Sequence, residues 1–322
     1  MPPLLGFHCS HEQHAPSALL RHVTRAADAG FTAAMCSDHL APWSLRQGQS
    51  GYAWSWLGAA LQATNLSFGT VCAPGQRYHP VIIAQAAATL AEMYPDRFWV
   101  SLGSGEALNE AMTGGPWPSK ADRNARLREC VEVMRALWRG ETVSLESHVT
   151  VRDARLYVAA PRPPLVVGAG LTPETARWLG EWADALVTVS GPRESMRRII
   201  EAFRERGAGK PIFLQVSLAF APTDAEAEAA AMDQWRHCAV GTEMLADLRS
   251  PEAFDRESAE ASPADVLTKV RASSDVERQV AWLEEDAALG FDRIYLHNVA
   301  REHQERFIDT WGERVLPRFH GR

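Results

Sequence analysis

Short apolar runs alternate with longer amphipathic stretches along nearly the whole chain. Residues 4–9 read as a strand and 15–29 as a helix, with Leu19, Leu20, Val23 and Ala27 at helical spacing and Gly30 as its stop. The pair then repeats. Strands are predicted over 31–37, 66–72 and 98–102, followed by helices over 54–64, 79–94 and 122–139. Residues 143–158 break the rhythm with a Val- and Leu-rich alternation that predicts a β-hairpin. Beyond it, strands at 165–168, 185–189 and 212–219 lead into helices at 173–182, 193–206 and 224–238. A polar stretch rich in Ser, Glu and Ala, 241–274, precedes a helix at 275–289, a strand at 293–298 and a helix at 303–315.

Eight strand-then-helix units imply a parallel sheet with right-handed crossovers, and eight are what a closed (β/α)8 TIM barrel of the α/β class requires. An open doubly wound sheet is the alternative. The 322 residues exceed the ~250 typical of a barrel. The surplus falls to the hairpin excursion at about 143–158 and a helical or loop insertion at about 241–274, within one domain spanning 1–322.

Composition narrows the class. A 46% hydrophobic chain with 11 Trp is not disordered, and a net charge of −7 with no long basic run argues against nucleic acid as a partner. No apolar run approaches the ~20 residues of a membrane span, and the N-terminal residues lack a signal-peptide pattern. Five cysteines without a CxxC pair read as reduced, mostly buried thiols, which places the protein in the cytoplasm. No HxxxH supports a metal site and no GxSxG elbow supports a hydrolase triad.

In a TIM barrel the chemistry lies at the C-terminal strand ends. There the sequence places His8 and Gln13, candidates for substrate contact, and then Asp38, His39 and Trp43. His39 suits a general base because imidazole titrates near neutrality. Glu106 follows Gly103-Ser104-Gly105, a turn that permits close backbone approach to a planar ligand. Gly168-Ala169-Gly170 before the helix at 173 suits a phosphate on a helix N-terminus. Trp43 is expected to lie against substrate, with most other tryptophans in the core.

Three motifs carry a resemblance. Ser37-Asp38-His39-Leu40-Ala41-Pro42-Trp43, Arg77-Tyr78-His79-Pro80 with Ile83-Ala84-Gln85-Ala86, and Gly103-Ser104-Gly105-Glu106-Ala107-Leu108-Asn109-Glu110 resemble the luciferase-like flavin oxidoreductases. Within these, the chain is similar to the deazaflavin-dependent glucose-6-phosphate dehydrogenases, and more closely to an offshoot of probable non-deazaflavin flavinoid oxidoreductases. The likeness is dense over residues 4–140 and collinear beyond.

The resemblance implies His39 as the base that deprotonates a hydroxyl while hydride leaves the same carbon, Glu106 as proton donor, and Trp43 as a wall of the substrate pocket. It implies Asp38, Ser104, Gly105 and Asn109 beside the cofactor ring, and a cis peptide forming a bulge behind it at Val71-Cys72. Gly168, Ala169, Gly170 and Ser190 match segments around the cofactor tail. Val189-Ser190-Gly191-Pro192 stands where the dehydrogenases carry Thr-Ser-Gly-Lys, so the lysine that pairs with the sugar phosphate is missing. Arg256 and Lys269 in the insertion are the candidate replacements, and glucose 6-phosphate itself is disfavoured.

The ring site suits FMN and deazaflavin coenzyme F-420 alike, with the offshoot leaning to FMN. The expected activity is hydride transfer with a small hydroxylated or carbonyl, sugar-like substrate. The alternatives are an FMN-dependent monooxygenase served by a flavin reductase, and a non-catalytic flavin-binding barrel. Resemblance also implies a homodimer.

Overall fold

The computed structural model describes residues 2–319, apart from the side chains of residues 242 and 243. Strands β1 (Leu4–Cys9), β2 (Ala33–Ser37), β3 (Ser67–Cys72) and β4 (Phe98–Leu102) run parallel and side by side. The chain then leaves the barrel for an antiparallel hairpin, β5 (Val143–Glu146) and β6 (Thr150–Ala154). It returns through β7 (Leu165–Ala169), β8 (Ala185–Val189) and β9 (Ile212–Ala219). After the short β10 (Arg271–Ala272), strand β11 (Arg293–Asn298) pairs with both β9 and β1, and β8 pairs with β9, so eight strands close into a TIM barrel.

Helices α1 (Pro16–Asp28), α2 (Ala53–Ala63) and α3 (Pro80–Met93) follow the first three strands. Behind β4 come the single turn α4 (Ala107–Glu110) and the long α5 (Lys120–Trp138). Next are α6 (Pro173–Trp182), α7 (Arg193–Arg204) and α8 (Asp224–Trp235). The expected insertion is three short helices, α9 (Thr242–Leu245), α10 (Pro251–Glu257) and α11 (Pro263–Leu267), before α12 (Val276–Ala287). The helix expected over 303–315 is divided into α13 (Gln304–Thr310) and a π-turn (Trp311–Val315), and continues as α14 (Leu316–Phe319).

Strand residues alternate between two cores. Leu5, Phe7, Cys9, Ala34 and Cys36 face outward against the helices. Trp99, Phe213, Tyr295, Met35 and Val187 face inward and fill the barrel. Two inward glycines make that filling possible. A Cβ on Gly69 would lie 2.0 Å from the Trp99 ring, and one on Gly6 would lie 2.5 Å from Tyr295. One layer nearer the C-terminal mouth the inward positions turn polar, with His8, Ser37 and Ser217. The barrel is therefore plugged by aromatics below and opens to chemistry above.

The bulge expected at Val71-Cys72 is absent: no cis peptide bond occurs among the described residues. Regular parallel pairing persists to the strand end, with Val71 opposite Ser101 and Cys72 opposite Leu102, and Gly103 N–H donates to Cys72 O at 2.9 Å. A strand that keeps its ladder to the last residue leaves no room for the expected kink.

Candidate active site

A cavity of about 1780 Å³ occupies the C-terminal mouth, and most of the rim residues singled out in the sequence line it. His39 enters from the loop after β2. That loop is held by Ser50 Oγ, which donates to His39 O at 2.5 Å, and by Asn109 Oδ1, which accepts from Leu40 N–H at 2.9 Å. The His39 Nδ1 lies 2.8 Å from Glu12 Oε1, which leaves Nε2 turned toward Glu106, 4.0 Å away. The other Glu12 oxygen accepts from Ser10 Oγ at 2.8 Å and Ser37 Oγ at 2.7 Å. Burial favours neutral forms, but His39 and these donors hold the Glu12 carboxyl well below its usual range. For His39, burial acts downward and is outweighed by Glu12, so the imidazole sits above its ordinary value. Glu106 is raised, chiefly by burial.

Glu106 owes its position to Gly105. That residue has φ +84°, and a Cβ there would meet the Glu110 side chain at 3.0 Å. Only glycine takes this turn without strain, and Glu106 follows as the extended residue that starts α4. Ser104 Oγ accepts from Lys120 Nζ at 2.8 Å.

Trp43 forms the next stretch of wall. Its ring meets His39 edge-on at 5.0 Å, stacks on His237 at 5.4 Å with an interplanar angle of 4°, and meets Phe254 of α10 at 87°. Sequence reasoning missed His237 and Glu12 as site residues, and Phe254 as the ring that packs behind Trp43. Glu12 stands three residues before the expected helix, but only its distance to His39 shows what it does. His237 and Phe254 lie in or beside a segment without a strand end to mark them.

Val71, Cys72, Ser104, Gly105, Asn109, Ala169, Gly170, Ser190, His8 and Lys269 also line the cavity. Asp38 lines it as well, with its carboxylate held by Trp54 Nε1 at 3.2 Å, Tyr78 Oη at 3.0 Å and Arg77 Nη2 at 3.2 Å. Three expected positions differ. Gln13 is buried behind the wall, donating to Gln234 Oε1 and Val299 O at 3.0 Å each. Gly168 does not line the cavity; a Cβ there would lie 2.5 Å from Leu179, so this glycine lets α6 pack on β7. The Arg256 side chain is 70% exposed on the outer face of α10 and does not line the cavity either.

Among the described residues no group of three His, Cys, Asp or Glu side chains is arranged to hold a metal ion, and no helix is long and apolar enough to cross a membrane.

The chain is similar to known proteins along its whole length. A relative from Beutenbergia cavernae, named F420-dependent glucose-6-phosphate dehydrogenase, is 33% identical and aligns over 99% of this chain and 98% of its own length. A namesake from Nakamurella multipartita is 32% identical over 98% of this chain and 97% of its own. The solved structure of an F420-dependent secondary alcohol dehydrogenase in complex with an F420-acetone adduct matches all of both chains with a TM-score of 0.91 at 28% identity. The lean to FMN finds no support in these relatives, each of which is named for F420. The model described as luciferase-like monooxygenase matches residues 5–298, and the chain belongs to this family of TIM-barrel oxidoreductases.

Proposed function

We propose that the protein is an F420-dependent dehydrogenase that oxidises a small alcohol, with His39 as general base. The observation that carries the reading is the His39–Glu12 pair, with Nδ1 beside the carboxylate and Nε2 lying 4.0 Å from Glu106 in the wall of a cavity of about 1780 Å³, which has room for cofactor and substrate together.

The residues present fit a flavin-type ring. Gly103, Ser104 and Gly105 offer backbone in place of side-chain bulk, and a Cβ at Gly103 would find only Ala169 Cβ, at 3.7 Å. The Ser101 and Thr188 hydroxyls lack protein partners beneath this surface. Gly170, ahead of α6 with its Thr172 N-cap, and Ser190, ahead of α7, would hold the tail, where the helix dipoles favour an anion. When bound, a deazaflavin supplies a two-electron hydride acceptor.

The chain's own residues do the rest. Neutral His39 takes the hydroxyl proton at Nε2, and Glu12 stabilises the imidazolium that forms. Glu106, kept protonated to higher pH by burial, is the second proton-exchanging group beside His39. Trp43 excludes water from the reacting carbon. A phosphorylated sugar is disfavoured: Pro192 supplies neither charge nor donor, Arg256 points outward, and Glu257, Glu260 and Asp265 line the wall around Lys269.

The test is anaerobic titration with F420 and with FMN, followed by turnover on propan-2-ol and related alcohols. F420 binding with alcohol-dependent F420 reduction is expected. Oxygen-dependent turnover on reduced FMN, without F420 binding, overturns the reading and favours the monooxygenase.

A further inference from the structure

His237 is a second imidazole in the cavity wall, and nothing in the mechanism uses it. It lies on the single turn Arg236–Ala239 that ends α8 and is 4% exposed, yet neither ring nitrogen has a hydrogen-bond partner among the described residues. An imidazole that lines a cavity and makes no hydrogen bond within the protein keeps donor or acceptor capacity for what the cavity binds. Its Nδ1 is sealed in the protein, so Nε2 is the nitrogen left to meet whatever fills the cavity.

The ring cannot easily turn away. Trp43 stacks flat on one face, while Trp235 at 4.7 Å and Phe254 at 6.4 Å meet it at steep angles. Trp43 in turn touches His39, so the base and the unpaired imidazole share one indole as a common wall. Burial pushes the His237 value down to about 3, against the opposing pull of Glu12, so the ring is neutral and offers one donor and one acceptor. The charged groups that bear on it are Glu12 and His39. A neutral, rigid imidazole is suited to an uncharged hydroxyl or carbonyl and poorly suited to a phosphate, which wants a cation.

We propose that His237 determines specificity by hydrogen-bonding a second oxygen of the substrate, and that the substrate is therefore an uncharged diol or polyol rather than a simple alcohol. This rests on the dehydrogenase reading, in which the first oxygen is held at His39. With only one oxygen on the substrate, Nε2 would be desolvated without a partner, a cost that a diol avoids.

The experiment compares propane-1,2-diol with propan-2-ol in wild type, His237→Phe and His237→Gln. Phe keeps the stack on Trp43 and removes the polar edge, while Gln keeps a hydrogen-bonding group. In wild type the diol is expected to have the higher kcat/KM. His237→Phe should lower the diol-to-alcohol ratio by roughly 10-fold, the effect of one lost hydrogen bond, mainly through KM. His237→Gln should restore part of the ratio. The same ratio read from dissociation constants, by quenching of tryptophan fluorescence, tests His237 even if no turnover occurs. Failure of all turnover with the binding ratio intact overturns only the dehydrogenase reading. A ratio unchanged by His237→Phe, or a wild type that favours propan-2-ol, overturns the role of His237.

Discussion

On one side of the cavity His39, Glu106 and Asn109 come from the segments that follow β2 and β4, and those segments are tied to each other by Leu40 N–H donating to Asn109 Oδ1 at 2.9 Å. On the other side Trp235, His237 and Phe254 come from the end of α8 and from the insertion, which touches the barrel through a small apolar cluster of Leu108, Val240 and Phe254 with Trp43 at its edge. The first wall inherits its geometry from the strands. The second is a separate packing solution that leans on the first, through Trp43 and through Ser44 Oγ donating to Asp255 Oδ1 at 2.6 Å. This difference implies a division of labour: proton chemistry on the wall fixed by the fold, substrate choice on the wall free to vary.

The strongest way to break that division is His39→Ala. It should lower kcat by about 10²–10⁴-fold, the usual worth of a general base, while F420 binding measured by fluorescence stays close to wild type. A loss of binding would place His39 in the scaffold instead. On the opposite wall Phe254 is fully buried, and Phe254→Ala should cost about 3–5 kcal/mol, read from denaturant midpoints. If the insertion folds as its own unit, the barrel transition will hold and only KM will rise, which sharpens the separation of the two walls.

Glu12→Gln tests the pair within the first wall. Oxidation requires the neutral imidazole, so the rate should fall as pH drops through the raised value of His39. Removing the Glu12 charge removes the main influence that raises it. The midpoint of the pH–rate profile should therefore move to lower pH while the high-pH plateau falls by roughly 10–10²-fold. A profile that does not move would separate Glu12 from the base. The smallest effect is expected at Ser262, whose side chain and Asp265 form a capping box at the start of α11. Ser262→Ala should cost about 1 kcal/mol, visible as faster hydrogen exchange over 263–267 with kcat unchanged.

Much of the first wall was legible beforehand. Five barrel strands, 4–9, 98–102, 185–189, 212–219 and 293–298, have the bounds their apolar runs predict, because fully buried parallel strands read as continuous hydrophobic segments. Once the strand ends are known, His39 and Glu106 follow, since a TIM barrel gathers its strand C-termini on one rim. The misses share a cause. Gln13 follows a strand end in sequence but turns into the protein, where Gln234 satisfies it. Gly168 was read as a phosphate cradle, whereas Leu179 explains it by packing. In each case a partner distant in sequence decides which way the residue serves.

The sequence by itself determined the alternation of strands and helices, the closed barrel and the rim on which chemistry collects, because local periodicity and chain connectivity leave few other packings. Only the tertiary structure decided that Glu12 backs His39, that Trp43 is shared by two imidazoles, and that Phe254 of the insertion packs behind Trp43. Those facts depend on side-chain contacts between residues up to 211 positions apart in the chain, and neither hydrophobic period nor motif spacing carries that information.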